Sequence, residues 1–150
     1  MDQFMKIAIA EARKGIKHGH GGPFGAVIVK NGEVIGKGHN EVIKQNNPTC
    51  HGEMMAIKNA CKKLGTFDLS GCEIYTTGYP CPMCMGAILW SNMTKVYYGC
   101  NVDDTEKIGF RDKVFYEFEE HKDEMLVEVD RKACLRLYNQ YLQIDDRKNY

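Results

Sequence analysis

The sequence predicts an α/β protein with a three-layer α/β/α sandwich, in which helices cover both faces of a mixed five-stranded sheet. Helical and strand periodicities alternate along most of the chain, and Asn31-Gly32 joins two β-rich segments as a hairpin. Two later strands are separated by a helical segment, and such a succession favours a parallel pair with a right-handed crossover. Because 150 residues can bury one substantial core, we expect a single domain over residues 1–150.

The first half of the chain predicts a helix, a hairpin and a second helix. Apolar residues follow Asp2, a good N-cap, at three- and four-residue spacing as far as the glycine-rich segment 19–22. The segments FGAVIVK and EVIGKGHN then predict the two antiparallel strands of the hairpin. A second apolar periodicity begins near His51 and ends at Gly65, a typical helix C-cap.

The second half predicts two more strands, a helix between them and a C-terminal helix. CEIYTT and KVYYGCN have strand composition, and CPMCMGAILWSN predicts a helix that begins at its cysteines. Residues 103–124 contain nine acidic and four basic residues without a clear period, which predicts a surface loop or lid. MLVEV predicts a short fifth strand at the sheet edge, and DRKACLRLYNQYLQ predicts the last helix.

Composition and charge exclude several functional classes. Twenty basic and twenty acidic residues cancel, so nucleic acid is disfavoured as a partner because no overall positive field would hold its backbone. No apolar run approaches the roughly 20 residues that cross a bilayer, so no membrane span is expected. The first residues lack the order of a signal peptide, and an odd number of cysteines, seven, argues for reduced thiols. We therefore expect a cytoplasmic location.

Two short segments, CHGEMM and PCPMC, contain the residue types of a catalytic metal site, each at the start of a predicted helix. Cys81 and Cys84 are three residues apart and would share one helical face, where amides at the helix N-terminus favour thiolates. On an ideal helix His51 and Glu53 would diverge by roughly 200 degrees. Both can therefore reach one site only if His51 lies at the N-terminal edge of its helix.

His51, Cys81 and Cys84 would give Zn²⁺ three protein ligands and leave one open position, as in catalytic zinc sites. A water at that position would have its pKa lowered towards neutrality, and the activated hydroxide could attack an amidine-like ring carbon. Glu53 would carry the proton from this nucleophile to the leaving nitrogen. Two alternatives stay open: buried or redox-active cysteines, and a non-enzymatic zinc module with Cys50 or Glu53 as fourth ligand.

His-x-Glu followed by Pro-Cys-x-x-Cys is the signature of zinc deaminases, and the chain resembles the cytidine deaminase superfamily over nearly its full length. GGPFGAVIV, NNPTCHGE, PCPMCMGAILW, GFRDKVFY and the terminal Tyr150 are most similar to bacterial guanine deaminases. This resemblance implies a cytidine deaminase-like fold and a hydrolase of purine metabolism. The implied reaction is zinc-dependent deamination of a free nucleobase, guanine, to xanthine and ammonia.

The resemblance also implies roles for four further residues and an assembly. Asn40 would hold the purine, and Asp112 would assist proton transfer at the amino group. Trp90 and Tyr150 would line or close the pocket. The chain would form a homodimer in which the C-terminal segment swaps across to complete the partner's site.

The chain departs from guanine deaminases at two positions, which keeps other substrates open. Guanine deaminases usually have alanine at the position of Gly52, whereas fungal cytosine deaminases have glycine there, as this chain does. Tyr79 stands where guanine deaminases frequently have glutamate. Cytosine is therefore the second candidate substrate and a transfer RNA adenosine the third. The acidic segment favours a free base or nucleoside because it would repel nucleotide phosphates. Residues 130–150, with five basic and three acidic residues, offer RNA little positive surface.

Overall fold

Two compact units make up the chain in a computed structural model that describes residues 1–150, apart from the side chains of Glu119 and His121. The first unit, Met1–Tyr116, contains α1 (Gln3–Lys17), β1 (Gly25–Lys30), β2 (Glu33–His39), α2 (Val42–Gln45), α3 (Gly52–Leu64), β3 (Cys72–Gly78), α4 (Pro82–Trp90), β4 (Lys95–Cys100), α5 (Val102–Lys107) and α6 (Asp112–Tyr116). The second unit, Glu117–Tyr150, contains α7 (Phe118–Met125) and α8 (Arg131–Leu142).

The sheet of the first unit is mixed, as the sequence predicts. Its strand order is β2-β1-β3-β4, with β1 antiparallel to both of its neighbours and β3 parallel to β4. Asn31 and Gly32 both have positive φ, 49° and 79°, which is the conformation of a two-residue hairpin turn. In the described residues the sheet has four strands, so the prediction of five is wrong.

The predicted fifth strand, MLVEV, is not a strand. Met125 is the last residue of α7, and the residues that follow it have neither helical nor strand structure. Leu126 and Val127 are exposed, with 62% and 82% of their surface accessible. A strand needs a neighbour for its backbone groups, and the described elements of the unit Glu117–Tyr150 are both helices.

The acidic segment 103–124 is largely helical, so its prediction as a loop is also wrong. It contains most of α5, all of α6 and most of α7. Asn101 caps α5, because its side chain accepts a hydrogen bond from Asp104 N at 2.9 Å and the Asp104 carboxylate accepts one from Asn101 N at 3.0 Å. This reciprocal capping box stabilises a short helix that apolar periodicity alone does not indicate.

Helices cover both faces of the sheet, and the alternation of side chains in β1 assigns each residue to a face. Val27 and Val29 pack with Ala8 of α1 and Tyr75 of β3 on one side. The opposite side packs against α3 and α4 in a larger buried cluster formed by Ala26, Ile28, Ile35, Ala56, Ala60, Leu69, Cys72, Ile74, Ile88 and Met93. The three-layer α/β/α arrangement is therefore confirmed.

Helix α3 approaches β2 closely at Gly36 and Gly38. A Cβ atom on Gly36 would lie 2.7 Å from Ala56 O, and one on Gly38 would lie 2.7 Å from Ala56 N. Because both neighbours are backbone atoms, a side chain at either position would push the helix away from the sheet. The separation between α3 and β2 is thus set by direct backbone contact.

The substitution Ile74→Ala should lower the free energy of unfolding by about 2–5 kcal/mol, because it leaves a cavity in the larger core cluster. Urea denaturation followed by circular dichroism measures this change. Ile16→Ala is the matched control, since Ile16 is 51% exposed, and it should change stability by less than about 0.5 kcal/mol. Equal effects of the two substitutions would contradict the assignment of Ile74 to the core.

Candidate functional site

His51 lies immediately before the first residue of α3. As the N-cap it has extended backbone, with φ −70° and ψ 160°, so its side chain does not follow the helical rotation. Glu53 lies in the first turn of the same helix. His51 therefore lies at the edge of the helix, as is required for His51 and Glu53 to reach one site.

Cys81 has the equivalent position at the start of α4. It is the N-cap, with φ −67° and ψ 167°, and Pro82 occupies the start of the helix, where its missing N–H costs nothing. Cys84 follows one turn later, and both cysteines are buried. The segment Tyr79-Pro80 joins this helix start to the end of β3, and Tyr79 N donates to Cys100 O at 2.8 Å.

Three metal-ligating atoms converge between these two helix starts. His51 Nδ1 is 3.5 Å from Cys81 Sγ and 3.7 Å from Cys84 Sγ. Ordinary zinc bond lengths in a tetrahedral site separate a nitrogen and a sulfur ligand by about 3.6 Å, so the donor set fits zinc. Among the described side chains, the group within 4.8 Å that contains His51 has these three members. Neither Cys50 nor Glu53 belongs to it, which favours an open fourth position.

The two cysteines have opposite pKa shifts. A hydrogen bond from the Cys84 thiol, helped by one from His51, lowers the pKa of Cys81 to about 4. The same Cys81–Cys84 contact, together with burial, raises the pKa of Cys84 above its ordinary range. The hydrogen bond with Cys81 also raises the pKa of His51. A thiolate is thus available at neutral pH, whereas the Cys84 thiol must lose a proton when it binds a metal.

Glu53 is a buried carboxyl beside the three donors. Only 7% of the surface of Glu53 is exposed, and its Oε2 accepts a hydrogen bond from Cys84 Sγ at 3.4 Å. Burial raises the pKa of this carboxyl. A carboxylate with a raised pKa is a stronger base than an ordinary one and holds more firmly the proton that it takes, which suits general acid–base chemistry.

A cavity of about 780 Å³ opens next to the donor group, and five of the predicted site residues line it. Those residues are Asn40, His51, Glu53, Cys81 and Asp112. Asn40 is buried at the end of β2, and Asp112 begins α6. Burial, and secondly the charge of Cys81, raises the pKa of Asp112. The first unit therefore gathers polar groups of four chemical types, an amide, an imidazole, carboxyls and a thiol, around one cavity.

Trp90 is not among the described residues that line this cavity. Trp90 ends α4 and is 67% exposed. Tyr150 belongs to the unit Glu117–Tyr150 and is 79% exposed. The pocket roles of both residues stay predictions.

The apolar wall of the cavity contains aromatic residues that were not predicted to belong to the site. Phe24, Phe110 and Phe115 are the aromatic lining residues other than Tyr79 in the described part of the chain. The rings of Phe24 and Phe110 meet edge to face at 4.8 Å, and the Arg111 guanidinium lies 5.1 Å from the Phe115 ring centre. A phenylalanine next to the glycine-rich segment 19–22 is the one local signal that could have indicated this wall.

The two departures from guanine deaminases have different surroundings. A Cβ on Gly52 would lie 3.0 Å from Phe24 O, so the missing methyl group faces backbone rather than the cavity. Tyr79 does line the cavity, and its ring packs edge-on against Tyr116 at 5.8 Å. The Tyr116 hydroxyl donates to Pro80 O, which links α6 to the segment before Cys81. Tyr79 is therefore the departure that can influence substrate choice.

Residues 1–100 match the family model for the cytidine and deoxycytidylate deaminase zinc-binding region. Together with the mixed sheet and the His-Cys-Cys donor group, this match defines a hydrolytic deaminase that uses zinc. The chain belongs to the cytidine and deoxycytidylate deaminase family.

Individual relatives support the same assignment. The chain is 46% identical over 115 residues to guanine deaminase of Bacillus subtilis (strain 168), an alignment that spans 77% of this chain and 74% of the relative. It is 38% identical over 143 residues to tRNA-specific adenosine deaminase of Aquifex aeolicus (strain VF5), with 87% and 94% covered. The X-ray structure of guanine deaminase from Bacillus subtilis superposes with a TM-score of 0.93 at 38% identity, covering 100% of this chain and 99% of that one.

Zinc binding to the metal-free chain should release at least one proton per ion at about pH 7, because the pKa of Cys84 is raised and its thiol is still protonated. The apparent zinc affinity should therefore increase with pH. Calorimetric titration in two buffers of different ionisation enthalpy measures the released protons. Cys100→Ser, which changes an exposed cysteine outside the donor group, should behave like the wild type. A binding reaction without proton release would contradict the prediction.

Proposed function

We propose that this chain catalyses the hydrolysis of guanine to xanthine and ammonia. The observation that carries the proposal is the likeness to the Bacillus subtilis guanine deaminase structure, which extends over the whole chain with a TM-score of 0.93. The cavity supports it, because about 780 Å³ with aromatic walls and a few polar groups suits one planar base.

In the proposed reaction His51, Cys81 and Cys84 hold the zinc ion, which supplies Lewis-acid activation of a water molecule when bound. Glu53 would carry two protons in turn, one from the water to the ring nitrogen and one from the hydroxyl group then on the ring carbon to the departing amino group. Ammonia can then leave as a neutral molecule. The raised pKa of Glu53 suits this role, because the carboxyl has to hold a proton between two transfers.

Asn40 and Asp112 would orient the base in front of Glu53. Asn40 Oδ1 accepts a hydrogen bond from Val42 N at 3.1 Å, which fixes the amide and leaves its NH₂ group for an acceptor on the purine. Asp112 has a raised pKa and lines the same cavity. It can accept a hydrogen bond from the amino group or return a proton to it as the C–N bond breaks.

A second candidate is deamination of a transfer RNA adenosine, and the Aquifex aeolicus relative is the specific observation in its favour. RNA binding requires a positive surface for the phosphates, whereas the chain has no net charge. Lys113 of α6 pairs with the carboxylates of Asp103 and Glu106, so its ammonium group is less available to a phosphate. Gly52 does not favour cytosine as the substrate, because the missing methyl group does not face the cavity.

Purified zinc-loaded chain should release ammonia from guanine, with little release from cytosine or from an anticodon stem-loop that contains adenosine. Glu53→Gln should retain its zinc but lose about 10²–10⁴-fold in kcat, because the proton carrier is gone. Ammonia assays and elemental analysis measure the two effects. Glu33→Gln, at an exposed glutamate of β2, is the control. Faster turnover of the stem-loop or of cytosine than of guanine would contradict guanine as the substrate. Wild-type activity in Glu53→Gln would contradict the role of Glu53 as proton carrier.

Gly21→Ala should raise the KM for guanine at least about tenfold, because its Cβ would lie 2.1 Å from Asn40 Oδ1 and displace the amide that holds the base. Steady-state kinetics separate KM from kcat, and zinc content should not change. Gly86→Ala is the matched control, since a Cβ there meets no atom within 4 Å. An unchanged KM in Gly21→Ala would argue against a contact between Asn40 and the base.

We also propose that residues 1–150 work as one deaminase domain within a cytoplasmic homodimer that swaps its C-terminal segment. The unit Glu117–Tyr150 is smaller than most chains that fold alone. Its large apolar side chains are exposed in the single chain, which supports their burial by a partner copy; they include Leu126, Val127, Val129, Leu137, Tyr138 and Leu142. In the described part of the chain, no helix has both the length and the apolar character needed to cross a membrane.

Complementation between two inactive variants tests the swap. Tyr150→Ala should lose activity because the residue proposed to close the site is missing. Glu53→Gln should lose activity because the proton carrier of the site is missing. Unfolding and refolding the two variants together should restore part of the activity, because mixed dimers contain one intact site closed by one intact tail. Each variant refolded alone is the control. An inactive mixture would mean that the tail acts within its own chain.

A further inference from the structure

A second group of metal-ligating side chains lies at the end of β2, and we call it the His20–His39–Glu41 cluster. His20 Nδ1 is 2.8 Å from His39 Nε2, and Glu41 Oε1 is 3.7 Å from the same nitrogen. Two imidazole nitrogens and one carboxylate oxygen thus surround one region of space. No residue of this cluster belongs to the described group around His51.

Glu11 holds the other nitrogen of the His39 ring. Glu11 Oε2 accepts a hydrogen bond from His39 Nδ1 at 3.1 Å, and both residues are more than nine-tenths buried, with 8% and 5% exposed. This hydrogen bond places a proton on Nδ1 and leaves the lone pair of Nε2 directed towards His20 and Glu41. Metal-binding histidines commonly have such a carboxylate partner, which fixes the ring and its tautomer.

The fold makes room for the His39 ring at this position. A Cβ on Gly15 would lie 2.6 Å from His39 Cδ2, so a glycine in the last turns of α1 is needed for the ring to pack there. The rings of His20 and His39 are stacked, with centres 5.1 Å apart. The C-terminal end of α1 carries partial negative charge, which favours a cation nearby.

Two lysines oppose a cation at the cluster, but each has room to move away. Lys44 Nζ is 3.6 Å from Glu41 Oε1, and Lys37 Nζ is 3.4 Å from Glu11 Oε1. Both lysine side chains are about half exposed, at 51% and 56%. Burial acts to raise the pKa of Glu11 and Glu41, but hydrogen bonds and the nearby lysines hold both below the ordinary value. Both carboxylates are therefore ionised at neutral pH.

We propose that the His20–His39–Glu41 cluster binds a divalent transition-metal ion through His20 Nδ1, His39 Nε2 and Glu41 Oε1. Nitrogen donors suit zinc, nickel or copper, whereas magnesium and calcium prefer oxygen alone. The ion takes the place of the proton between the two rings, and His20 then carries its ring proton on Nε2. The two ring nitrogens move apart by about half an ångström, the adjustment that tetrahedral zinc–nitrogen bonds require.

The bound ion would act on Asn40 through the chain. His39 and Glu41 are the direct neighbours of Asn40, and His20 O accepts hydrogen bonds from Ile43 N at 3.0 Å and Lys44 N at 3.1 Å. An ion held by the cluster therefore links the glycine-rich segment 19–22 to the backbone on both sides of Asn40. The site itself does not rest on the proposed guanine chemistry, since its ligands lie outside the zinc group.

Calorimetric titration of untagged, zinc-loaded chain with Ni²⁺ tests the proposal. The wild type should bind one further equivalent, and Ni²⁺ should raise its melting temperature by mass action. His20→Gln and Glu41→Gln should each weaken this binding at least tenfold while zinc content stays at the wild-type level. Lys44→Met should tighten it, because the competing ammonium group is removed.

His18→Gln is the matched control, because the His18 ring centre lies 5.4 Å from that of His20 but His18 is not a member of the cluster. It should bind Ni²⁺ like the wild type. The proposal is overturned if the zinc-loaded wild type binds no further ion, if His20→Gln and Glu41→Gln bind it unchanged, or if His18→Gln loses it equally. Each readout is independent of turnover, so a failure here leaves the proposed deamination untouched.

Discussion

The meeting of two helix starts is the constraint on which the zinc site depends. His51 caps α3 and Cys81 caps α4, and both caps have extended backbone that frees the side chain from the helical rotation. Cys84, one turn into α4, then approaches His51 Nδ1 to 3.7 Å. The two helices pack against the same face of the sheet, so the ligands are brought together by the core and not by a flexible loop. The same geometry holds Glu53 beside the Cys84 thiol.

The convergence of His51, Cys81 and Cys84 could be predicted because short sequence segments determine it. His51-x-Glu53 and Cys81-x-x-Cys84 each lie at a helix start that capping residues and apolar periodicity identify. The hairpin at Asn31-Gly32 and the layers on either side of β1 follow from similarly short patterns. Asn40 and Asp112 were assigned by resemblance, and the structure brings both to the cavity wall.

Features that depend on distant partners were not predictable in the same way. MLVEV has strand composition, but the described elements of its unit are helices, and composition cannot reveal that a pairing strand is missing among them. The helices α5 to α7 are short and polar, so local caps such as Asn101 define them in place of an apolar period. Phe110 and Phe115 lie about sixty positions after His51 in the chain and reach the cavity only through the fold. The pairing of His39 with Glu11 across 28 positions has the same origin.

The backbone contact between α3 and β2 at Gly36 and Gly38 bears on how this enzyme can evolve. Helix α3 begins with the proposed zinc ligand His51 at its cap and the proposed proton carrier Glu53, so a side chain at Gly36 or Gly38 would displace both groups together with the helix. Adaptation to a different base would have to come from the aromatic walls and from Tyr79, which lie outside that contact. Residues that position the reacting groups are therefore constrained by the backbone contact, whereas residues that select the base can be replaced without moving α3.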